Sequence, residues 1–482
     1  MKRRNFLINN SKAALGISLL PSSVFSISKR IDAKFISNRP PLNKRTFTST
    51  AVEELIEEVK STIANPELAW MFENCYPNTL DTTVDYELID GKHDSFIITG
   101  DLDAMWLRDS TAQVWPYMPL INKDTKIKNL ILGLINRQVK CVLTDPYANA
   151  FYKDLTRVSK WSSDIPAPRP GVHERKWEID SLCYFIRLSY HYFKISGDKS
   201  FMDPDWDKAV RLVVDTFRAE QRKNEISPYS FKRSHWFSIG IAHFEGRGAP
   251  TKPNGLIHSI FRPSDDATIL PYLVPSNIFA YVSLNQLSEL YAITGKDSDF
   301  SKDCLAFSNE VKSAVEKHAV RQHLGFGKIY AYELDGFGNA LFMDDANVPS
   351  LMSLAYIGGH STNDPIYQNT RKFLLSDNNP WFIKGNAAEG QGSPHNGKEN
   401  IWPMGIILRG ITSEDEDEIK MCLRMLKNTH ADTGFMHESF HKDDPFDFSR
   451  SWFAWANTLF GEFVIKVYKE RPWILKGHFQ KV

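Results

Sequence analysis

The stretch Lys123–Leu143, KDTKIKNLILGLINRQVKCVL, decides the fold class of this chain. Its apolar residues recur at the three- and four-residue spacing that places side chains on one face of a helix. The residues on this face are Ile127, Leu130, Ile131, Leu134, Ile135 and Val139. Helical patterns also occur at Ala51–Ile63, Glu178–Lys194, Asp205–Arg222, Asn277–Thr294, Ile419–Leu426 and Trp452–Tyr468. The sequence therefore predicts an all-α protein.

Residues at the expected helix ends support this prediction. Asp203-Pro204 is an N-cap followed by proline at the first helical position, and Gly295 is suited to end a helix at Thr294. Ser413–Glu416 has the pattern of a capping box. Strand signals are few and predict two short hairpins, which we expect to decorate the helical body. They are Tyr86–Ile89 with Phe96–Ile98 around Asp90-Gly91, and Ile329–Leu334 before Asp335-Gly336.

Six segments rich in charged residues, tryptophan or glycine lie between the helical patterns. They are Asp101–Asp109, Glu174–Asp180, His258–Asp266, Asp344–Asn347, Gly390–Trp402 and His437–Arg450. The first four are roughly 80 residues apart, about the length of two helices with two connecting loops. Six such units in a ring would bring all six segments to one end. An (α/α)6 barrel has this arrangement, and we expect one here with short β-hairpin decorations.

The composition excludes several classes of protein. The 482 residues contain 58 Lys plus Arg and 58 Asp plus Glu, so the formal net charge is zero. Nucleic-acid binders usually carry a basic excess or stripe, and we therefore expect no nucleic-acid partner. The five cysteines are far apart, without a CxxC or HExxH motif, which favours neither a disulfide scaffold nor a metal site. No cofactor is expected, and no pattern indicates the oligomeric state.

The N-terminal segment has the features of an export signal. Arg3-Arg4 followed by Phe6-Leu7 is typical of a twin-arginine signal, and the apolar stretch Ala13–Leu20 is too short for a lasting membrane anchor. We expect the signal at residues 1–26, a linker at 27–47 and a single (α/α)6 domain at 48–482. The expected location is the periplasm. The alternative is a basic tail before a marginal helix.

The segment Thr99–Leu120, TGDLDAMWLRDSTAQVWPYMPL, has the densest group of candidate binding residues. Its charged and aromatic members are Asp101, Asp103, Trp106, Arg108 and Asp109. Carboxylates and a guanidinium cannot be buried without partners, and they supply paired hydrogen bonds. With the flat face of Trp106, they suit a sugar, which has hydroxyls on its rim and C–H groups on its faces. The alternative is an internal ion pair that braces the loop.

Six motifs in order resemble glycoside hydrolase family 125, the exo-acting α-1,6-mannosidases. They are TGDLDAMWLRDS (99–110), WEIDSLCY (177–184), FRPSDDA (261–267), MDDANVPSL (343–351), GSPHNG (392–397) and HESF (437–440). The resemblance implies an (α/α)6 fold, no metal and inversion at the anomeric carbon. It implies removal of non-reducing terminal α-1,6-linked mannose from N-glycan or mannan oligosaccharides. Two alternatives are another (α/α)6 glycosidase acting on a different α-linked sugar and a non-catalytic glycan-binding protein.

Inversion needs a protonated acid at the leaving oxygen and a second carboxylate that activates water on the opposite face. In FRPSDDA, Ser264 has the pattern of a helix cap, which predicts Asp265 and Asp266 in a first helical turn. The resemblance implies Asp265 as the general acid, with Asp266 as the alternative, and Glu438 as the general base. From the residues alone, either aspartate could instead complement a helix dipole. Glu438 could likewise be a structural, salt-bridged residue.

Further residues are candidates for binding the sugar. They are Asp103, Trp106, Arg108, Asp109, Asp266, Asn347, His395 and His437. The segment around His395 is equally typical of a structural turn, and Asn347 could cap a helix. Glu178 and Asp180 open a predicted helix, where capping competes with a role in binding.

Overall fold

The computed structural model describes residues 35–224, 226–233 and 240–477, and helices account for most of its regular structure. The helices are α1 Thr50–Thr62, α2 Pro66–Cys75, α3 Asn78–Thr82, α4 Leu107–Val114, α5 Thr125–Thr144, α6 Ile179–Ser196, α7 Pro204–Glu220, α8 His243–Gly246, α9 Val274–Thr294, α10 Ser298–His318, α11 Pro365–Leu374, α12 Pro403–Ile411, α13 Glu416–Asn428, α14 Ala454–Glu470 and α15 Pro472–Leu475. Two 3-10 helices lie at Leu42–Lys44 and Trp115–Leu120.

The strands are short and form small antiparallel sheets. They are β1 Val84–Ile89, β2 Lys92–Ile97, β3 Met105–Trp106, β4 Ala150–Phe151, β5 Val172–Glu174, β6 Tyr272–Leu273, β7 Val320–His323, β8 Gly327–Tyr330, β9 Glu333–Leu334, β10 Ala340–Leu341, β11 Phe382–Lys384, β12 Glu389–Gln391, β13 Asn400–Ile401 and β14 Phe440–His441. Sheets pair β1 with β2, β7 with β8, β11 with β12 and β13 with β14, and join β3-β4-β5 and β10-β9-β6. These sheets connect the helices.

The helices and hairpins follow the sequence prediction closely. The carboxylate of Asp203 accepts a hydrogen bond from Trp206 N–H at 2.9 Å, and α9 ends at Gly295 in the left-handed conformation. The first hairpin turns at Asp90-Gly91, where both residues have positive φ, as a type I′ turn requires. The predicted strand Ile329–Leu334 of the second hairpin is divided between two sheets. Its first part lies in β8, which pairs with β7, and its last part is β9, which pairs with β10 and β6.

One predicted helix cap is wrong. Asp415, not Ser413, is the N-cap of α13, and its carboxylate accepts a hydrogen bond from Asp417 N–H at 2.8 Å. The Ser413 hydroxyl donates instead to Glu418 at 2.6 Å. The serine therefore anchors the first turn of α13 from outside the helix.

The N-terminal boundary of the folded unit also differs from the prediction. The predicted export signal lies outside the described residues, but the compact unit begins at Ser37 rather than at residue 48. Arg39 explains the difference, because its guanidinium pairs with Glu53 at 2.6 Å and with Asp81 at 2.7 Å. Residues 37–47, predicted as linker, are thus part of the fold.

Helices α4, α6, α9, α12 and α14 pack side by side as an inner set. α6 contacts both α4 and α9, and α14 contacts both α4 and α12. Between α9 and α12 lies the turn-rich segment 350–359. The Tyr281 hydroxyl of α9 donates to Gly359 O at 3.1 Å, and the Thr412 hydroxyl after α12 lies 3.8 Å from Met352 Sδ. The inner elements therefore follow one another in a closed order.

Other helices cover the inner set. α5 contacts α6 and α7, α10 lies against α9, and α13 lies against α12. α10 buries Phe300, Cys304, Phe307 and Val311, a single face of the helix, whereas α9 is buried along most of its length. A helix that is apolar on all sides lies in the interior, and an amphipathic helix lies on its surface. Each of the six polar segments found in the sequence leads into one inner element.

No helix in the described ranges is both long enough and apolar enough to cross a membrane.

We expect Gly410→Ala to destabilise the fold at the contact between α12 and α14. A Cβ at this position would lie 2.3 Å from the Phe463 ring, so the helices would have to separate. The overpacking costs about 1–3 kcal/mol, which exceeds the gain in helix propensity of about 1 kcal/mol. Urea denaturation should show a lower midpoint. The exposed Glu54→Ala in α1 is the control, and its free energy of unfolding should stay within about 0.5 kcal/mol of the parent value. An unchanged midpoint for Gly410→Ala would contradict this packing.

Candidate active site

A pocket opens where the segments leading into the inner elements meet. Its empty space, counted together with the open solvent at its mouth, is about 450 Å³. It is lined by Thr99, Leu102, Trp106, Arg108, Asp109, Pro263, Ser264, Asp265, Asn347, His395, Trp402, Glu438, Arg450, Phe453 and Trp455. Carboxylates, cations and aromatic rings thus share one concave surface.

Arg108 connects this surface to the interior. Strand β3 ends at Trp106 and α4 begins at once, which places Arg108 in the first turn with only 4% of its side chain exposed. One guanidinium nitrogen donates to Glu178 at 2.5 Å, and another lies 3.6 Å from Asp265 Oδ1. A buried guanidinium needs such partners to offset its lost hydration.

Asp109 follows in the same helical turn and faces the pocket. Burial raises the pKa of Asp109 to about 6, although the positive charge of Arg108 opposes this shift. Its Oδ2 lies 3.4 Å from Arg108 Nε without hydrogen-bond geometry. Near neutral pH this carboxyl can therefore accept a hydrogen bond from a hydroxyl or, when protonated, donate one.

Several polar atoms of the pocket wall are buried without a hydrogen-bond partner among the described residues. They are Thr99 Oγ1, Trp106 Nε1 and Trp402 Nε1. An unpaired buried polar group costs about 1–3 kcal/mol. A ligand rich in hydroxyl groups would satisfy these atoms, and the rings of Trp106 and Trp402 would meet its apolar faces.

The turn that contains Asp265 differs from the prediction. Asp265 and Asp266 are not in a helix, because Phe261 and Ala267 form a β-bridge and the chain between them is a tight turn. The turn is closed by Arg262 N–H, which donates to Asp266 O at 2.8 Å. Asp265 has a φ of +64°, a conformation that aspartate tolerates better than most residues. In this conformation of the turn, the Asp265 side chain faces the pocket.

The two aspartates of this turn have different surroundings. Asp265 lines the pocket, accepts a hydrogen bond from Asn149 Nδ2 at 2.9 Å, and has its backbone carbonyl bound by Lys176 Nζ at 2.8 Å. Asp266 is 2% exposed, does not line the pocket, and pairs with His395 Nδ1 at 2.9 Å. Only Asp265 is thus placed to meet a ligand directly.

His395 adds a positive charge to the pocket. Burial opposes this charge, but the hydrogen bond to Asp266 raises the pKa of His395 to about 9. The carboxylates of Asp265 and Glu438 contribute in the same direction. The imidazole is therefore protonated at neutral pH.

Glu438 lies on the segment that leads to α14. The residue is 8% exposed, and its carboxylate accepts a hydrogen bond from Ser449 Oγ at 3.1 Å and lies 3.4 Å from Arg450 Nε. Arg450 also pairs with Asp101 at 3.1 Å, so the segment that begins at Thr99 meets the Glu438 segment. These contacts fix the carboxylate while leaving it in contact with the pocket.

Asp345 ties three of the converging segments together. Its buried carboxylate accepts hydrogen bonds from Ser264 Oγ at 3.0 Å and Ser393 Oγ at 3.1 Å. It also accepts one from Asn347 Nδ2 at 3.1 Å, which orients that amide in the pocket wall. Asp345 and Asn347 therefore cap a turn, and only Asn347 lines the pocket.

Two predicted binding residues lie outside the pocket wall. Asp103 is at the surface, with 75% of its side chain exposed, and pairs with Arg157 at 2.5 Å. His437 is fully buried, stacks on Phe448 with ring centroids 4.0 Å apart, and bonds Arg450 O through Nδ1 at 2.7 Å. His437 thus supports the segment that holds Arg450.

Sequence reasoning missed several residues around the pocket. Asn149 and Lys176 lie in no quoted motif, although Lys176 directly precedes WEIDSLCY. Arg450 ends one of the six polar segments, and Trp455 lies within the predicted helix Trp452–Tyr468. The Trp455 ring in fact lies 5.9 Å from the Arg108 guanidinium and lines the pocket.

Three possible metal ligands, two of them exposed and His441 half-buried, lie close together near β13 and β14, and none of them lines the pocket. They are Glu399, His441 and Asp443. The ammonium group of Lys442 contacts both Glu399 and Asp443 and so balances their charges.

Comparisons with known proteins agree with this geometry. Residues 65–465 match the family described as metal-independent α-mannosidase, GH125. The meiotically up-regulated gene 157 protein of Schizosaccharomyces pombe is 40% identical over 456 residues, covering 91% of this chain and 89% of that protein.

One solved structure is a metal-independent α-mannosidase, and a second, more distant one is similar in fold alone. A metal-independent α-mannosidase of Streptococcus pneumoniae, solved as a non-productive complex with α-1,6-mannobiose, is 39% identical with a TM-score of 0.84. The match covers 88% of this chain and 100% of that chain. A bacterial glucoamylase complexed with acarbose, 14% identical with a TM-score of 0.51 over 87% of this chain and 59% of its own, shares the fold. The chain described here belongs to glycoside hydrolase family 125, the metal-independent α-mannosidases.

Proposed function

We propose that this protein is an inverting exo-α-mannosidase that releases terminal α-1,6-linked mannose from N-glycan or mannan oligosaccharides. The observation that carries the proposal is the joint presence of Asp265 and Glu438 in one pocket, supplied by two distant segments. The S. pneumoniae structure with α-1,6-mannobiose supports the choice of linkage.

The proposed reaction uses the two carboxyl groups on opposite faces of the sugar. Asp265 donates a proton to the glycosidic oxygen as the bond to the anomeric carbon breaks. Glu438 removes a proton from the water that attacks the same carbon from the other side, so the α-linked sugar leaves as β-mannose. Ser449 and Arg450 hold the Glu438 carboxylate for this step.

The remaining pocket groups would bind the sugar. Arg108 and Asp109 offer charged partners for hydroxyl groups, and Asn347 and His395 add further donors. Trp106 offers an aromatic face. Asp103, Asp266 and His437 would act through neighbours, because their side chains contact Arg157, His395 and the backbone carbonyl of Arg450, respectively.

For the fold we propose an (α/α)6 barrel. The closed order of α4, α6, α9, segment 350–359, α12 and α14 supports six inner elements. The covering helices α5, α7, α10 and α13 support an outer layer.

We also propose export to the periplasm, supported by the Arg3-Arg4 pair ahead of a short apolar stretch. Replacing both arginines by lysine should keep the protein in the cytoplasm, because the twin-arginine route reads this pair. Cell fractionation with immunoblotting measures the distribution. Lys2→Arg is the control and leaves export intact; periplasmic protein from the double-lysine variant would argue against this route.

The purified protein should hydrolyse α-1,6-mannobiose to mannose, with β-mannose as the first anomer detected by proton NMR. Excess EDTA should leave the rate unchanged, as expected in a metal-independent family. Preference for an α-glucoside would favour another glycosidase activity. Binding of mannobiose without turnover would favour a glycan-binding protein, and α-mannose as first product would exclude inversion.

Asp265→Asn and Glu438→Gln should each lower kcat by about 10²–10⁴-fold, because each removes a group that transfers a proton in the transition state. Binding of mannobiose, measured by calorimetry, should persist. The exposed Asp299→Asn and Glu57→Gln are matched controls and retain wild-type kcat. Near-normal turnover in either pocket variant would reject the corresponding role.

A further inference from the structure

The proposed mechanism leaves one carboxyl group beside the general acid without a role. Glu178 stands at the N-cap position of α6 and is 0% exposed, yet its side chain accepts no capping hydrogen bond from the helix backbone. It is bound instead by Arg108 at 2.5 Å, Asn149 Nδ2 at 3.2 Å and Ser181 Oγ at 3.0 Å. The capping explanation left open by the sequence therefore does not account for Glu178.

Glu178 and Asp265 form a carboxyl pair. The amide of Asn149 donates to both, at 3.2 Å to Glu178 Oε1 and at 2.9 Å to Asp265 Oδ1. The Arg108 guanidinium also reaches both, at 2.5 Å to Glu178 Oε2 and at 3.6 Å to Asp265 Oδ1. Adjacent buried negative charges disfavour double ionisation. The pair therefore holds one proton.

Charged and titratable groups from several elements face this pair. They are Arg108 and Asp109 of α4, His173 and Lys176 of the segment before α6, Asp180 of α6, Tyr229, and His395. The positive charges are unevenly distributed over the pair. Lys176 binds the backbone carbonyl of Asp265, and His395 pairs with the neighbouring Asp266.

The proton therefore rests on Glu178 in the free protein. Burial raises the pKa of Glu178, and the nearby charges of Asp265 and Asp180 add to this, against the effect of Arg108. Burial by itself would also raise the pKa of Asp265. The positive charges of Lys176 and Arg108 have the larger effect and hold this pKa below its usual range. The general acid of the proposed mechanism is thus ionised at rest.

We propose that Glu178 is a positioning residue that stores a proton and passes it to the adjacent Asp265 when the substrate is bound. This inference rests on the proposed function. The transfer converts protonated Glu178 and ionised Asp265 into ionised Glu178 and protonated Asp265. The Arg108 contact at 2.5 Å stabilises the negative charge that Glu178 then carries.

The proton balance closes over one turnover. Asp265 gives the stored proton to the leaving oxygen as the glycosidic bond breaks, and Glu438 takes a proton from the attacking water as the new bond to the anomeric carbon forms. After product release, Glu438 returns its proton to solvent and solvent protonates the Glu178–Asp265 pair. One water molecule is consumed, and no other reactant is needed.

Glu178→Gln tests this role, because glutamine has the shape of glutamate but cannot store a proton. Asp265 must then be protonated directly at its own lowered pKa, so activity is lost as the pH rises through the acidic range. The alkaline limb of the kcat profile on α-1,6-mannobiose should move down by at least about one pH unit. At pH 7, kcat should fall by about 100-fold, in line with the loss of general acid catalysis, and should partly recover at acidic pH.

A second substrate separates proton storage from a structural effect. An α-mannoside of 2,4-dinitrophenol has a leaving group that departs without protonation, so Glu178→Gln should hydrolyse it at nearly the wild-type rate. Glu220→Gln is the matched control, since Glu220 is a fully buried glutamate at the end of α7, outside the pocket wall, and should leave the alkaline limb in place. Glu178→Asp keeps a carboxyl group and should keep the wild-type limb even where its kcat is lower.

The outcomes are distinct. A wild-type alkaline limb in Glu178→Gln, or equal losses on both substrates at every pH, overturns the storage role while wild-type activity upholds the proposed function. If Glu178→Gln does not fold, a shifted alkaline limb in Glu178→Asp overturns the role and an unshifted limb supports it. A wild-type protein that releases no mannose overturns the proposed function and this inference together.

Discussion

The buried guanidinium of Arg108 is the interaction on which the pocket depends. It joins α4 to the start of α6 and to the turn that carries Asp265, three parts of the chain that are distant in sequence. Its carboxylate neighbours are Asp109, Glu178, Asp180 and Asp265. Without a central positive charge, these groups would repel one another and lose hydration without compensation, and breaking such a buried pair costs about 3–5 kcal/mol. The positive charge of Arg108 also allows Glu178 and Asp265, one protonated and one ionised, to lie side by side.

Local sequence signals were sufficient for the helices because caps and periodicity act over a few residues. Asp203-Pro204 and Gly295 mark real helix ends for this reason. The Asp265 turn was mispredicted because Ser264 followed by two aspartates also has the pattern of a helix start. What prevents a helix is the bridge between Phe261 and Ala267, which short-range propensities do not encode.

The pocket itself was only partly predictable. Trp106, Arg108 and Asp109 were found because three unusual residue types occur within four positions, and the structure places all three in the wall. Asp103 has the same chemistry but lies on the exposed side of that segment, where Arg157 binds it. Asn149 gave no signal, since a single amide in a loop becomes informative only when folding brings it between Glu178 and Asp265.

The pairing of Asp101 with Arg450 joins residues 349 positions apart, and Gly100 lies against Trp452 in the same contact. One wall of the pocket is thus built from the first polar segment and another from the last. During synthesis on the ribosome, Asp101 is made 349 residues before its partner Arg450. The pocket wall that joins Asp101 to Arg450 is therefore completed only after α14 has emerged and docked against α4.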